Sequence, residues 1–105
     1  MLLSIEQIRS RIHPVCKKYD VKAAYLFGSY ARGEATESSD VDIRIEKGLN
    51  NRLRGLLQIN MCQDELETAL QKPVDLLTVL PDSKTNSIFL NLMKKDEVLL
   101  YENQP

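Results

Sequence analysis

The chain has 105 residues and a formal net charge of −1, so we expect one domain spanning residues 1–105. Hydrophobic residues make up 43% and charged residues 28%, with only four glycines and four prolines, which excludes a disordered chain. The near-neutral charge excludes a strong attraction to nucleic acid or to a membrane surface, and we expect no direct nucleic-acid binding.

The apolar segments and the cysteines both favour a reducing, aqueous compartment. No apolar run approaches the ~20 residues that a bilayer-spanning helix needs, so we expect a soluble, cytoplasmic protein. Cys16 and Cys62 lie far apart, and His13 is the only histidine, so neither a disulfide framework nor a zinc site is predicted. Both cysteines are expected to be small buried fillers.

The N-terminal part predicts a helix, then a strand. Ser4 and Gln7 form a capping box, and apolar residues recur behind it at helical spacing. Pro14 should kink this helix or divide it in two, because its ring removes a backbone donor. Residues Val21–Phe27 predict a short buried strand, and Tyr30–Ala35 a short helix.

The remaining elements alternate between strands and helices. We expect strands at Asp40–Glu46, Val74–Leu80 and Val98–Tyr101, and helices at Arg52–Gln71 and Thr85–Lys95. Loops are predicted at residues 48–51 and 81–83. This order predicts an α/β or α+β domain, a small mixed sheet covered by helices.

The strand Asp40–Glu46 alternates polar and apolar residues. Asp40, Asp42 and Arg44 therefore share one face, with the two carboxylates roughly 6–7 Å apart. Adjacent carboxylates repel unless a cation lies between them, and hard divalent cations prefer carboxylate oxygens. The pattern indicates a metal site. Alternatively, this is an exposed edge strand whose aspartates face water.

Two further features bear on the same site. A glycine at position 28 lets the backbone approach a phosphate, and the Ser29 hydroxyl can donate to its oxygens; alternatively, the pair forms an ordinary turn. Asp75 lies in an otherwise apolar strand, where a buried carboxylate needs a partner. It could join the metal site or serve as general base, or it could pair with Arg44.

These features together carry a family resemblance. The run from Phe27 to Ala35, FGSYARGEA, followed by SDVD at residues 39–42, strongly resembles the signature of the nucleotidyltransferase superfamily related to DNA polymerase β. The form looks most like the minimal nucleotidyltransferases. The resemblance is tight over residues 21–46 and looser across the rest of the chain.

The resemblance implies a nucleotidyltransferase fold and a role for each residue of the motif. Asp40, Asp42 and Asp75 would be catalytic and would ligate two Mg²⁺ ions, and Asp75 would also help to deprotonate the attacking hydroxyl. Gly28 and Ser29 would hold the β- and γ-phosphates of ATP.

Three other residues are less closely specified. Arg32 and Ser39 would also contact the nucleotide, although Arg32 could equally pair with a carboxylate in its own loop. Arg44 departs from the pattern, because relatives usually carry an aliphatic residue there. It could pair with Asp75 or Glu46, approach the nucleotide, or compete with the metal for a carboxylate.

The resemblance also implies a partner. Minimal nucleotidyltransferases of this form commonly serve as the antitoxin beside a HEPN-domain ribonuclease toxin. This chain would then transfer AMP from ATP to a tyrosine of the toxin within a hetero-oligomer, releasing pyrophosphate. Larger superfamily members shape the acceptor site with a further helical domain, so we expect another chain to supply it here. Two alternatives stay open: an antitoxin that acts by binding alone, and a stand-alone transferase for a small molecule.

Overall fold

The capping box opens the first helix, as the sequence predicts. In the computed structural model, which describes residues 2–47, 55–79 and 96–103, helix α1 spans Ile5–Lys18. The Ser4 Oγ accepts from the Gln7 N–H at 3.1 Å, and the Gln7 Oε1 accepts from the Ser4 N–H at 2.9 Å. Pro14 lies inside α1 without dividing it. Ile12 and Val15, on either side of it, are both buried and hold the two halves against the core.

Four strands form one mixed sheet in the order β3-β2-β1-β4. Strand β1 (Val21–Phe27) pairs antiparallel with β2 (Val41–Lys47) and with β4 (Val98–Glu102). Strand β2 pairs in parallel with β3 (Val74–Val79). The prediction of a small mixed sheet is confirmed. Strand β2 begins one residue later than predicted, so Asp40 immediately precedes it.

Two more helices connect the strands. Helix α2 (Gly28–Arg32) follows β1 directly and begins two residues earlier than predicted, and α3 (Leu56–Leu70) connects β2 to β3. Leu56 is 74% exposed. It begins the helix, ahead of the first fully buried position at Cys62. The predicted start of α3, both predicted loops, Leu80 and the helix at residues 85–95 lie outside the described residues.

The core lies between the helices and one face of the sheet. Val41, Ile43 and Ile45 of β2 are buried there together with α1 and α3. The helical residues that line it are Ile8, Ile12, Val15, Cys16, Cys62, Leu66 and Leu70. Both cysteines are free and buried, as predicted. By strand alternation, the opposite face of β2 carries Asp42, Arg44 and Glu46. None of the helices within the described residues is long and apolar enough for a membrane crossing.

Candidate active site

Three acidic residues lie at one end of the sheet. Asp42 in β2 is the Cα partner of Asp75 in the parallel strand β3, and Asp40 directly precedes β2. Aligned residues of neighbouring strands project to the same face, so Asp42 and Asp75 stand side by side. Strand β2 is flanked by β1 and β3. The alternative of an exposed edge strand is therefore wrong.

The surroundings of Asp75 differ from the expectation. The sequence predicted a carboxylate buried among apolar neighbours, but Asp75 is exposed. Strand β3 lies at an edge of the described sheet, and its buried face begins with Val74 instead. The alternative ion pair with Arg44 is not formed, because Arg44 pairs with Glu46 and Glu97. Asp75 is thus an accessible carboxylate beside Asp42.

Gly28 brings the start of α2 against the acidic residues. Its φ is +73°, a left-handed conformation that side chains rarely adopt. A Cβ added there would overlap Oδ2 of Asp42 and lie 3.0 Å from its Cγ. The sequence indicated a close approach to phosphate, whereas the structure shows a close approach to a carboxylate. Only glycine allows both the backbone angle and this contact.

The charges at this end of the sheet are unbalanced. Burial raises the pKa of Asp42, and repulsion from Asp75 and Asp40 raises it further, while the charge of Arg32 opposes the rise. Within the described residues, no three histidine, cysteine or acidic side chains converge closely enough to hold a metal ion as they stand. The donor set still fits a hard divalent cation, since carboxylates that repel one another are the ligands it prefers. They would have to rotate towards a bound ion.

The other predicted site residues, Ser29, Arg32 and Ser39, lie in α2 and in the loop before Asp40. Arg32 is exposed, and its Nε donates to Oε2 of Glu34 at 3.1 Å, which is the loop pairing given above as the alternative. The Ser39 Oγ accepts from the Thr36 N–H at 2.8 Å and so orders the loop before Asp40. Ser29 is half-buried in the first turn of α2.

The sequence did not predict a role for Glu97. Arg44 is only 2% exposed, and its Nε and Nη2 donate to the two carboxylate oxygens of Glu97 at 3.1 and 2.8 Å. Its Nη1 donates to Oε1 of Glu46 at 3.0 Å, and its Cζ lies 4.3 Å from the centre of the Tyr25 ring. Glu97 is 53 residues from Arg44, so no local pattern connects them. An arginine in a buried strand was the one available signal.

Comparison with known proteins identifies the family. The model of the family described as polymerase beta, nucleotidyltransferase matches residues 10–105. A predicted protein adenylyltransferase of Methanocaldococcus jannaschii is 43% identical over 76 residues, covering 72% of this chain and 78% of that protein. The chain belongs to the polymerase β nucleotidyltransferase family. A second relative of this nucleotidyltransferase is the protein adenylyltransferase MntA of Thermococcus cleftensis, 34% identical over 80 residues, covering 72% of this chain and 78% of that protein.

Solved structures share the fold of this nucleotidyltransferase. A chain of a toxin–antitoxin crystal structure with AMP-PNP aligns with a TM-score of 0.72 at 21% identity, covering 91% of this chain and 74% of its own length. A second aligned chain comes from the complex of a tri-AMPylated Shewanella oneidensis HEPN toxin with its MNT antitoxin. Its TM-score is 0.67 at 19% identity, and the alignment covers 95% of this chain and 74% of that chain. The predicted nucleotidyltransferase fold is confirmed.

Proposed function

We propose that this enzyme transfers AMP from ATP to a tyrosine hydroxyl of a partner HEPN ribonuclease and thereby acts as an antitoxin. The observation that carries the proposal is the alignment of Asp42 with Asp75, beside the α2 backbone at Gly28. The relatives named as protein adenylyltransferases support transfer to a protein. The toxin–antitoxin complexes among the structural neighbours support the class of partner. ATP and a ribonuclease partner would place this activity in the cytoplasm.

The acidic residues would carry the chemistry. Asp40, Asp42 and Asp75 would hold two Mg²⁺ ions, which supply charge neutralisation and polarisation of the phosphates. The tyrosine oxygen attacks the α-phosphorus, the bond from that phosphorus to the bridging oxygen of the β-phosphate breaks, and pyrophosphate leaves. Asp75, an exposed carboxylate of the site, would accept the hydroxyl proton from an acceptor that approaches from solvent.

The start of α2 and the loop before β2 would orient the nucleotide. Gly28 and Ser29 lie at the beginning of α2, next to Asp42, and would contact the β- and γ-phosphates. Arg32 would contribute its charge to the triphosphate after leaving its exposed pair with Glu34, which costs little to break. Ser39 would hold the loop that positions Asp40, and it would also contact the nucleotide.

The buried state of Arg44 supports catalysis over neutralisation by binding alone. From sequence, a cation on the face of the aspartates counted against a working metal site. In the structure its guanidinium is bound by Glu97 and Glu46. The acidic residues are therefore not paired with it.

The test is a mass measurement on the co-expressed partner. Incubation with ATP and Mg²⁺ should add the mass of one or more AMP units to the partner, and Asp40→Asn with Asp42→Asn should abolish that gain. Asp20→Asn is the matched control. Asp20 lies just before β1, at the end of that strand far from Gly28 and Asp42. Its φ is 52°, a backbone angle that asparagine tolerates. Modification by the double variant would refute the metal-site assignment. Toxin suppression without any AMP transfer would favour binding alone.

A further inference from the structure

The arginine beside the acidic site is held by two carboxylates. Arg44 follows Asp42 by two residues on β2, so both side chains project from the same face. Glu97 binds the guanidinium through both carboxylate oxygens, whereas Glu46 contributes one bond. The side chain of Arg44 is 3% exposed and that of Glu97 is 9% exposed, so solvent screens this pair little.

Without this restraint the guanidinium could reach the acidic site. Two residues along a strand separate Arg44 from Asp42 by roughly 7 Å. Arg44 is the Cα partner of Leu77, which places Asp75 on its diagonal, a separation that long side chains cross. A guanidinium there would form charge-assisted hydrogen bonds to the same oxygens that a divalent cation needs.

We propose that Glu97 is a positioning residue that keeps Arg44 away from Asp42 and Asp75 and so leaves these carboxylates available to a divalent cation. This inference rests on the proposed function, because it assumes that the acidic residues bind metal. Glu97 comes immediately before β4, whereas the carboxylates it protects lie on β2 and β3. The bidentate geometry carries the restraint, because two parallel bonds fix both the position and the orientation of the guanidinium.

The test is Mn²⁺ binding to the full, nucleotide-free chain, followed by electron paramagnetic resonance of the free ion. Glu97→Asp keeps the charge but shortens the side chain, so the bidentate contact is lost. We expect it to weaken Mn²⁺ binding on the order of tenfold, the factor that one charge-assisted hydrogen bond supplies. Adding Arg44→Met to Glu97→Asp should restore binding to at least the wild-type level.

A second variant guards against misfolding of the first. Arg44→Met with Glu97→Met replaces the buried pair by apolar side chains without changing the net charge, an exchange that proteins often tolerate. The proposal predicts Mn²⁺ affinity within about twofold of wild type, since there is no guanidinium left to restrain. A large loss of affinity in this folded variant would show that the ion pair has a structural role only.

The outcomes separate the two proposals. Wild-type affinity in Glu97→Asp, together with loss of binding in Asp42→Asn, would overturn the role of Glu97 while leaving the metal site intact. Equal Mn²⁺ binding by wild type and by Asp40→Asn with Asp42→Asn would overturn both.

Discussion

Gly28 and Asp42 lie in direct contact, and the Asp42 carboxylate fills the space that a side chain at position 28 would occupy. The contact follows from the antiparallel pairing of β1 with β2, in which Asp42 is the Cα partner of Phe27, the residue before Gly28. It connects the glycine of the motif to the aspartate of the motif. The two sequence signals therefore describe one structural unit.

Replacing Gly28 by alanine should cost far more than the same change at Gly33. Both glycines have a φ of +73°, but a Cβ at Gly33 meets nothing within 4 Å. Gly33→Ala should lose about 1 kcal/mol of unfolding free energy from the backbone angle alone. Gly28→Ala should lose about 2 kcal/mol more, because its Cβ overlaps Asp42. Urea denaturation of both variants measures the difference.

Removing the Asp42 side chain isolates the contact. In an Asp42→Ala background, Gly28→Ala should cost little more than Gly33→Ala, roughly 1 kcal/mol. The carboxylate overlap is gone, and the backbone angle and a 3.3 Å approach to the Cβ of residue 42 are what remain unfavourable. An undiminished cost of Gly28→Ala in that background would show that a different neighbour is responsible.

Neutralising Asp42 should stabilise the metal-free protein. Its pKa is raised above the ordinary value of 3.8 by burial and by Asp75 and Asp40, so the folded state binds the proton more tightly than the unfolded state. The contribution of Asp42 to the free energy of unfolding is therefore lost as the pH rises through its raised pKa. Asp42→Asn should raise the melting temperature by a few degrees at neutral pH. The gain should narrow as pH falls through the raised pKa and vanish below 3.8.

Divalent cations should favour wild type over Asp42→Asn, the opposite of the effect expected without metal. Millimolar Mg²⁺ should stabilise wild type, which has the intact acidic group, more than Asp42→Asn, because a ligand raises stability only where it binds the folded state. Asp20→Asn should have the same melting temperature as wild type, both with and without Mg²⁺. The same response to Mg²⁺ in all three proteins would speak against an ion held by Asp42.

The cysteines should be inert in the folded protein. Burial raises the pKa of both Cys16 and Cys62 to about 12, so at pH 8 nearly all of each thiol is protonated. Iodoacetamide at pH 8 should label neither in the native protein and both after denaturation, as read by peptide mass spectrometry. Rapid native labelling of either residue would contradict the packing of α1 against α3.

Local chemistry in the sequence predicted most of the fold. The capping box set the start of α1, alternation identified β2, and the GS turn after β1 anticipated α2. The predicted burial of Asp75 was wrong, because hydrophobic neighbours in a sequence do not show which face of an edge strand is covered.

The sequence predicted which residues form the candidate site better than it predicted how they are arranged. Residue spacing placed Asp40 and Asp42 together, and the parallel pairing of β2 with β3 was needed to bring Asp75 beside them. The bond between Arg44 and Glu97 spans 53 residues and depends on β4 joining the sheet beside β1. Contacts of that range arise from tertiary folding and leave no periodic signal.

The most direct test of the proposed reaction follows the label of ATP onto the partner protein. With ATP labelled at the α-phosphate, Mg²⁺ and the co-purified ribonuclease, the label should become covalently attached to a partner tyrosine, and ATP labelled at the γ-phosphate should leave the partner unlabelled. The Asp40→Asn, Asp42→Asn protein should transfer neither label. Transfer of the γ label, or α-label transfer by the double variant, would contradict nucleotidyl transfer at this acidic site.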